Sequence, residues 1–147
     1  MEAELWKECL TCKNKGCCKS VIAYPLFLTP KETERIEKLN PNQICFNKKF
    51  PCLFLNKNGL CDIHNIRPTD CILFPFDILK INGEFFWVIW KIDCPILQYN
   101  NFKFCLKQLE EEIIPDFKEY LDEYSQFRLN EFLKKYKYKI IRKVNLN

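Results

Sequence analysis

Glycine is scarce in this chain: 147 residues hold three, Gly16, Gly59 and Gly83, none beside another. Loops that cradle phosphates or dinucleotides need clustered glycines, so that backbone N–H groups can approach the anion. Methyl transfer from S-adenosylmethionine on a Rossmann-like fold is therefore excluded, because no glycine-rich loop is present. A radical S-adenosylmethionine enzyme is excluded as well, because its C-x3-C-x2-C run is missing. There is one histidine, His64. A lone imidazole on a hairpin edge reads as a surface or hydrogen-bonded residue ahead of a metal ligand or a proton relay. No apolar run nears the roughly 20 residues that a transmembrane helix needs. The longest lie around Val21–Leu28 and Phe85–Trp90, so no membrane partner is expected. The opening MEAELWKECLTCKNK lacks the basic and apolar regions of a signal peptide, and a cytoplasmic location is the expectation. Internal repeats and low-complexity linkers are also missing.

Cysteine, in contrast, is abundant: there are ten. Thiols in the cytosol are kept reduced, so a cysteine-rich chain without a secretory signal points to metal or redox chemistry and away from a disulfide framework. Hydrophobic residues make up 48% and aromatic residues 15% of the chain, enough for a globular core in a single domain. The net charge of +4 is mild and does not call for nucleic acid. It is unevenly placed, at net −4 over 101–133 and net +6 over 134–147.

Local signals divide the chain into a cysteine-cluster region at 6–95, a helical segment at 102–136 and a basic tail at 137–147. Thr29-Pro30-Lys31-Glu32 reads as a helix start: Thr29 can cap, Pro30 suits the first position and Glu32 can reach back to complete a capping box. That helix should run to about Leu39 and stop before Asn40-Pro41. Residues 52–64 read as a small hairpin turning at Asn58-Gly59, and 76–91 as a second turning at Asn82-Gly83. From Phe102 the pattern is helical. Ile113, Phe117, Tyr120, Tyr124 and Phe127 form an apolar stripe, and Pro115 should kink or split the helix. The predicted core comprises Leu26, Phe27, Leu28, Ile36, Leu55, Trp87, Ile113, Phe117 and Phe127. The fold class is α+β: a small metal-stapled domain with two short β-hairpins and a kinked C-terminal helical segment.

The cysteines form two sets. The first is Cys9-x-x-Cys12-x4-Cys17-Cys18. A C-x-x-C pair lets two thiolates reach one metal from a single turn of backbone. The adjacent Cys17 and Cys18 point in different directions and join each other only through a strained disulfide. The second set is Cys52, Cys61, Cys71 and Cys94, with Cys52 and Cys61 on opposite arms of the first hairpin. Eight thiolates suit two four-thiolate zinc sites, one 4Fe–4S cluster with spare ligands, or two clusters.

The joint order of C-x-x-C…CC, Pro51-Cys52-Leu53-Phe54-Leu55, Gly59-Leu60-Cys61-Asp62-Ile63, Arg67-Pro68-x-x-Cys71, Phe74-Pro75 and Cys94-Pro95 resembles the YkgJ-like cysteine-cluster family. Its members are described as carrying a zinc- or iron-chelating domain. The resemblance covers residues 9–95. It implies that Cys9, Cys12, Cys17, Cys18, Cys52, Cys61, Cys71 and Cys94 are the metal and cofactor ligands, while Cys45 and Cys105 lie outside the pattern. The sequence departs from the family at His64, where an aromatic is usual, at Ile72, where Arg is usual, and at Ile96, where Gly is usual. Some members are described as flagellin lysine N-methylases, an activity that the missing glycine-rich loop argues against. Mainly on the resemblance, an iron–sulfur cluster (4Fe–4S) is preferred to zinc as the cofactor, in a redox, electron-transfer or structural role with a protein partner. A zinc-stapled interaction module and a cluster-dependent enzyme acting on protein or RNA are the alternatives. No catalytic residue is assigned.

Remaining residues take plainer readings. Arg67 either donates to cluster sulfur or pairs structurally, with Pro68 starting a short helix that carries Cys71. Phe85, Phe86, Trp87 and Trp90 read as core packing ahead of a water shield for a cluster. The Lys- and Tyr-interleaved tail at 134–143 reads as a solvated tail or a lysine-guarded edge strand, ahead of a nucleic-acid contact. Glu110-Glu111-Glu112 reads as a solvent face.

Overall fold

Thr29-Pro30-Lys31-Glu32 begins a helix as its chemistry dictates. The computed structural model describes residues 26–39, 54, 56–58, 60–91, 102–131 and 137–147. Helix α1 spans Pro30–Leu39. The Glu32 N–H donates to Thr29 Oγ1 at 3.3 Å, and the Thr29 N–H donates to Glu32 Oε2 at 2.9 Å. Each residue satisfies one of the N–H groups that a helix start leaves unpaired.

After a one-turn 3-10 segment at His64–Ile66 comes the short helix α2, Thr69–Leu73. The turn Phe74-Pro75, whose peptide bond is cis, leads into strand β1, Phe76–Ile81, paired antiparallel with β2, Glu84–Trp90. Asn82 and Gly83 both hold positive φ, 52° and 85°. Two left-handed residues in succession match the right-handed twist of the strands, and Asn-Gly is the pair that adopts them most easily. Cross-strand partners Phe76–Ile89 and Ile78–Trp87 face the core together. All four are 6% exposed or less.

Helix α3, Phe102–Glu112, stops where Pro115 removes a backbone donor, and the chain restarts as α4, Ile114–Phe117. A 3-10 turn at Lys118–Tyr120 leads into α5, Leu121–Glu131. Proline thus splits the segment, as its position predicts. Leu106, Leu109, Phe117 and Tyr124 close the core over the sheet. Helix α5 also covers the outer edge of β1: Ser125 Oγ accepts the Lys80 N–H at 2.7 Å, and Lys80 Nζ meets Asp122 at 2.7 Å. An edge N–H is thereby satisfied without a further strand.

Of the predicted core, Ile36, Trp87 and Phe117 are exposed by 2% or less, and Leu26 is buried at 8%. Phe27, Leu28, Ile113 and Phe127 are half-buried at its margin, and Leu55 lies outside the described residues. Phe27 nonetheless packs edge-on against Phe117, Tyr124 and Phe127.

Part of the basic tail is structured. Strand β3, Tyr138–Lys143, pairs antiparallel with β2, so the sheet order is β1-β2-β3. A register shift at Trp87/Val88 interrupts the ladder. As the central strand, β2 has its last four residues, Trp87–Trp90, buried.

The anchor of β3 corrects the reading of Glu110 as a solvent-facing residue. Its side chain is only 7% exposed and meets Arg142 at 2.7 and 2.8 Å. Trp87 Nε1 and the Asn145 N–H also donate to it, at 3.0 and 2.5 Å. Glu111 and Glu112 are exposed, as expected. Burial pushes the Glu110 carboxyl upward, but the hydrogen bonds from Arg142, Asn145 and Trp87, with the Arg142 charge, hold it below its ordinary value. A lowered folded-state pKa contributes stability above the unfolded value of about 4.3, lost as pH falls through the folded value. Acid titration below the ordinary carboxylate range should therefore release β3, seen as lost hydrogen-exchange protection at the Val144 and Asn145 N–H groups. Glu110→Gln should loosen β3 already at neutral pH and abolish that acid step. An unchanged step in the variant would assign it to another group.

Candidate metal centre

The hairpin predicted at 52–64 forms no strand among the described residues, only a turn that Asn56 organises from within. Its Oδ1 accepts the Asn58 and Leu60 N–H groups at 2.9 and 3.0 Å, and its Nδ2 donates to Asp62 at 2.9 Å. Backbone bonds Asn56 N–Leu60 O and Asp62 N–Phe54 O, at 2.9 and 2.8 Å, close the two arms around the turn. Cys61 sits on the returning arm between these bonds and is half-buried.

From Cys61 the chain reaches Cys71 through a series of tight local contacts. The His64 N–H donates to the Cys61 carbonyl at 3.3 Å, and the Arg67 Nε–H donates to the His64 carbonyl at 3.0 Å. Arg67 is buried, at 7% exposure, so a structural pairing is in place for it. Pro68 then starts α2, its carbonyl accepting the Cys71 and Ile72 N–H groups at 3.0 and 3.2 Å. Proline's fixed φ and missing donor suit a helix start. Ile72 turns into the core at 8% exposure, while Cys71 stays half-buried.

Two acidic residues pin α2 from its inner side. Glu32 uses its second oxygen, Oε1, to accept the Thr69 N–H at 2.8 Å, so one buried carboxylate caps both α1 and α2. Negative charge at a helix start is favourable. Asp70 is fully buried and accepts the Phe27 N–H at 2.8 Å and the Tyr124 hydroxyl at 3.2 Å. Arg128 Nη2 lies 2.5 Å from both Asp70 oxygens, and its Nε lies 2.9 Å from Asp77 Oδ2. Asp77 also accepts from Trp90 Nε1 at 2.8 Å and from the Tyr124 hydroxyl. The guanidinium stands over the Tyr124 ring, 5.4 Å from its centre.

Two carboxylates thus share one guanidinium with no exposure to water. Burial pushes the Asp77 carboxyl above its ordinary range, Arg128 pulls it down, Asp70 raises it by repulsion, and the hydrogen bonds from Tyr124 and Trp90 lower it. Burial prevails because desolvating a second anion costs more than a shared cation returns.

Of the eight predicted ligands, Cys61 and Cys71 are described, and neither is in a disulfide. Cys9, Cys12, Cys17, Cys18, Cys52 and Cys94 lie outside the described residues, as does Cys45. Cys105, on α3, is half-buried against the core and also in no disulfide. Among the described residues no three Cys, His, Asp or Glu are grouped so as to hold a metal. His64 is half-buried in the 3-10 turn. Trp87 and Trp90 are fully buried, in keeping with core packing. No helix among the described residues is long and apolar enough to cross a membrane.

The buried network of Asp70, Asp77, Tyr124 and Arg128 was invisible to motif reading. Two signals for it exist in the sequence: Asp77 interrupts an apolar strand, and Arg128 falls four residues after Tyr124 on the apolar stripe of α5.

An α+β scaffold carrying Cys61 and Cys71, neither in a disulfide, on short, externally braced elements is in keeping with a cysteine-rich, metal-chelating type of domain. Soft thiol donors fit both zinc and iron. The chain belongs to the CxxCxxCC family, described as "Putative zinc- or iron-chelating domain", whose model matches residues 8–106. No curated protein and no solved structure matches the chain.

Proposed function

We propose that this protein holds an iron–sulfur cluster of the 4Fe–4S type on thiolates drawn from Cys9, Cys12, Cys17, Cys18, Cys52, Cys61, Cys71 and Cys94. Its role is electron transfer or structural support of a complex with a protein partner in the cytoplasm. The observation that carries this reading is the cysteine pattern itself, since all eight thiols fall within the family match at 8–106. When bound, such a cluster supplies one-electron redox chemistry, with a potential tuned by hydrogen bonding and burial. The protein's contribution is to hold Cys61 and Cys71 on braced turns, so that little chain entropy is lost when they ligate. Zinc on four-thiolate sites is the second reading, favoured by the family description, which names zinc and iron together.

Protein purified without oxygen should be brown, with iron and acid-labile sulfide in equal amounts and a Mössbauer spectrum of a cubane cluster. Colourless protein carrying zinc and no sulfide would overturn the iron–sulfur proposal and establish the zinc reading.

A further inference from the structure

Cys71 is carried by a helix of five residues, Thr69–Leu73. A helix that short has no stability of its own, because nucleation costs more than one turn of hydrogen bonds returns. Its orientation is therefore imposed from outside. Glu32 holds its first N–H, Ile72 and Leu73 are buried in the core, and the carboxylate of Asp70 is gripped by Phe27, Tyr124 and Arg128. Successive helical residues turn by about 100°, so locking the Asp70 side chain inward also fixes the direction in which its half-buried neighbour Cys71 leaves the turn.

Two of the groups on Asp70, Tyr124 and Arg128, come from one element, α5, Leu121–Glu131. That helix lies beyond residue 106, where the family match ends. Part of the brace on a cysteine inside the family match is thus supplied by a segment outside it.

We propose that Arg128 is a positioning residue for the metal centre: through Asp70 it orients α2 so that Cys71 is presented for ligation, and it thereby couples metal binding to the docking of α5. The proposal rests on Cys71 being a metal ligand. Coupling of this kind is reciprocal: whatever α5 docking adds to metal affinity, metal adds to α5 docking. Arginine suits the task because one planar head reaches Asp70 and Asp77 together, which a lysine ammonium cannot do from one place.

The test uses the full chain, reduced and metal-free under anaerobic conditions, titrated with cobalt(II). Affinity is read from the thiolate-to-cobalt charge-transfer band. Arg128→Lys retains the charge and loses the bridging geometry; Tyr124→Phe retains the ring and loses the hydroxyl on Asp70 and Asp77. Arg128→Lys should weaken cobalt binding about 10–100-fold, the usual range for outer partners of metal ligands, and Tyr124→Phe should weaken it by a smaller factor. Leu109→Ala, which destabilises the core without removing any of these hydrogen-bond partners, should leave the affinity unchanged at temperatures where the variant is folded. Cobalt should also slow hydrogen exchange of the 121–128 amides in the wild type and not in Arg128→Lys.

Wild-type affinity in folded Arg128→Lys and Tyr124→Phe, or an equal loss in Leu109→Ala, would overturn the proposal. Should Arg128→Lys fail to fold, Tyr124→Phe decides. A wild-type chain that takes up no cobalt would leave no metal affinity for Arg128 to govern, a result distinct from equal affinities, and the proposal would fall with it.

Discussion

Replacing Arg128 by methionine should lower folding stability by about 3–5 kcal/mol, the cost of stranding buried charge. Arg128, Asp70 and Asp77 are each 0% exposed, and the guanidinium is the cation that both carboxylates share. Methionine fills much of the same volume, so packing changes little. What remains is two buried carboxylates that have lost the cation they share, with Asp77 already held above its ordinary range by burial. Urea unfolding followed by tryptophan fluorescence measures the effect, since Trp87 and Trp90 are fully buried. Adding Asp70→Asn and Asp77→Asn to Arg128→Met should return a substantial part of the loss, because the amides need no counter-ion. A loss below about 1 kcal/mol in the single variant, the range of an exposed pair, would show that water reaches the cluster.

Cys71→Ser should reduce metal affinity by more than about 100-fold, beyond the range for outer partners of metal ligands. Cys105→Ser should leave metal content unchanged. A serine hydroxyl is nearly the size of a thiol but is a hard, weakly acidic donor, poorly suited to zinc or iron–sulfur ligation. Cys105 packs half-buried against the core. Its replacement should cost about 1 kcal/mol of stability and nothing in binding. Metal analysis of the two variants beside the wild type provides the check. Equal metal in Cys71→Ser and the wild type would strike Cys71 from the ligand set. Depletion in Cys105→Ser would add a ninth cysteine to it.

Much of the scaffold was legible because the forces that shape it act between near neighbours. The capping box of α1 lies within four residues, Thr29 to Glu32. The Asn82-Gly83 turn is set by the φ values its two residues accept. The break before α4 follows from one missing N–H at Pro115. Pro68 starts the helix that bears Cys71, as its fixed φ suggests. What escaped sequence reading acts over long separations. The second oxygen of Glu32 reaches Thr69, 37 residues on, and Arg128 reaches Asp70 across 58. Glu110 looked like one of three solvent-facing glutamates until Arg142, 32 residues later, was brought onto it by β3.

The same contrast separates the ligands from their supports. By itself the sequence determined the donor chemistry: ten thiols, all within the match to a zinc- or iron-chelating family, equip the chain for metal chelation. Sequence also determined where helices and turns begin, because caps, prolines and Asn-Gly pairs act on the backbone beside them. Only the tertiary structure decided which charges go inside. A buried carboxylate or guanidinium is tolerable only when a partner arrives to neutralise it, and for Asp70, Asp77 and Glu110 that partner comes from a distant stretch that folding alone brings near.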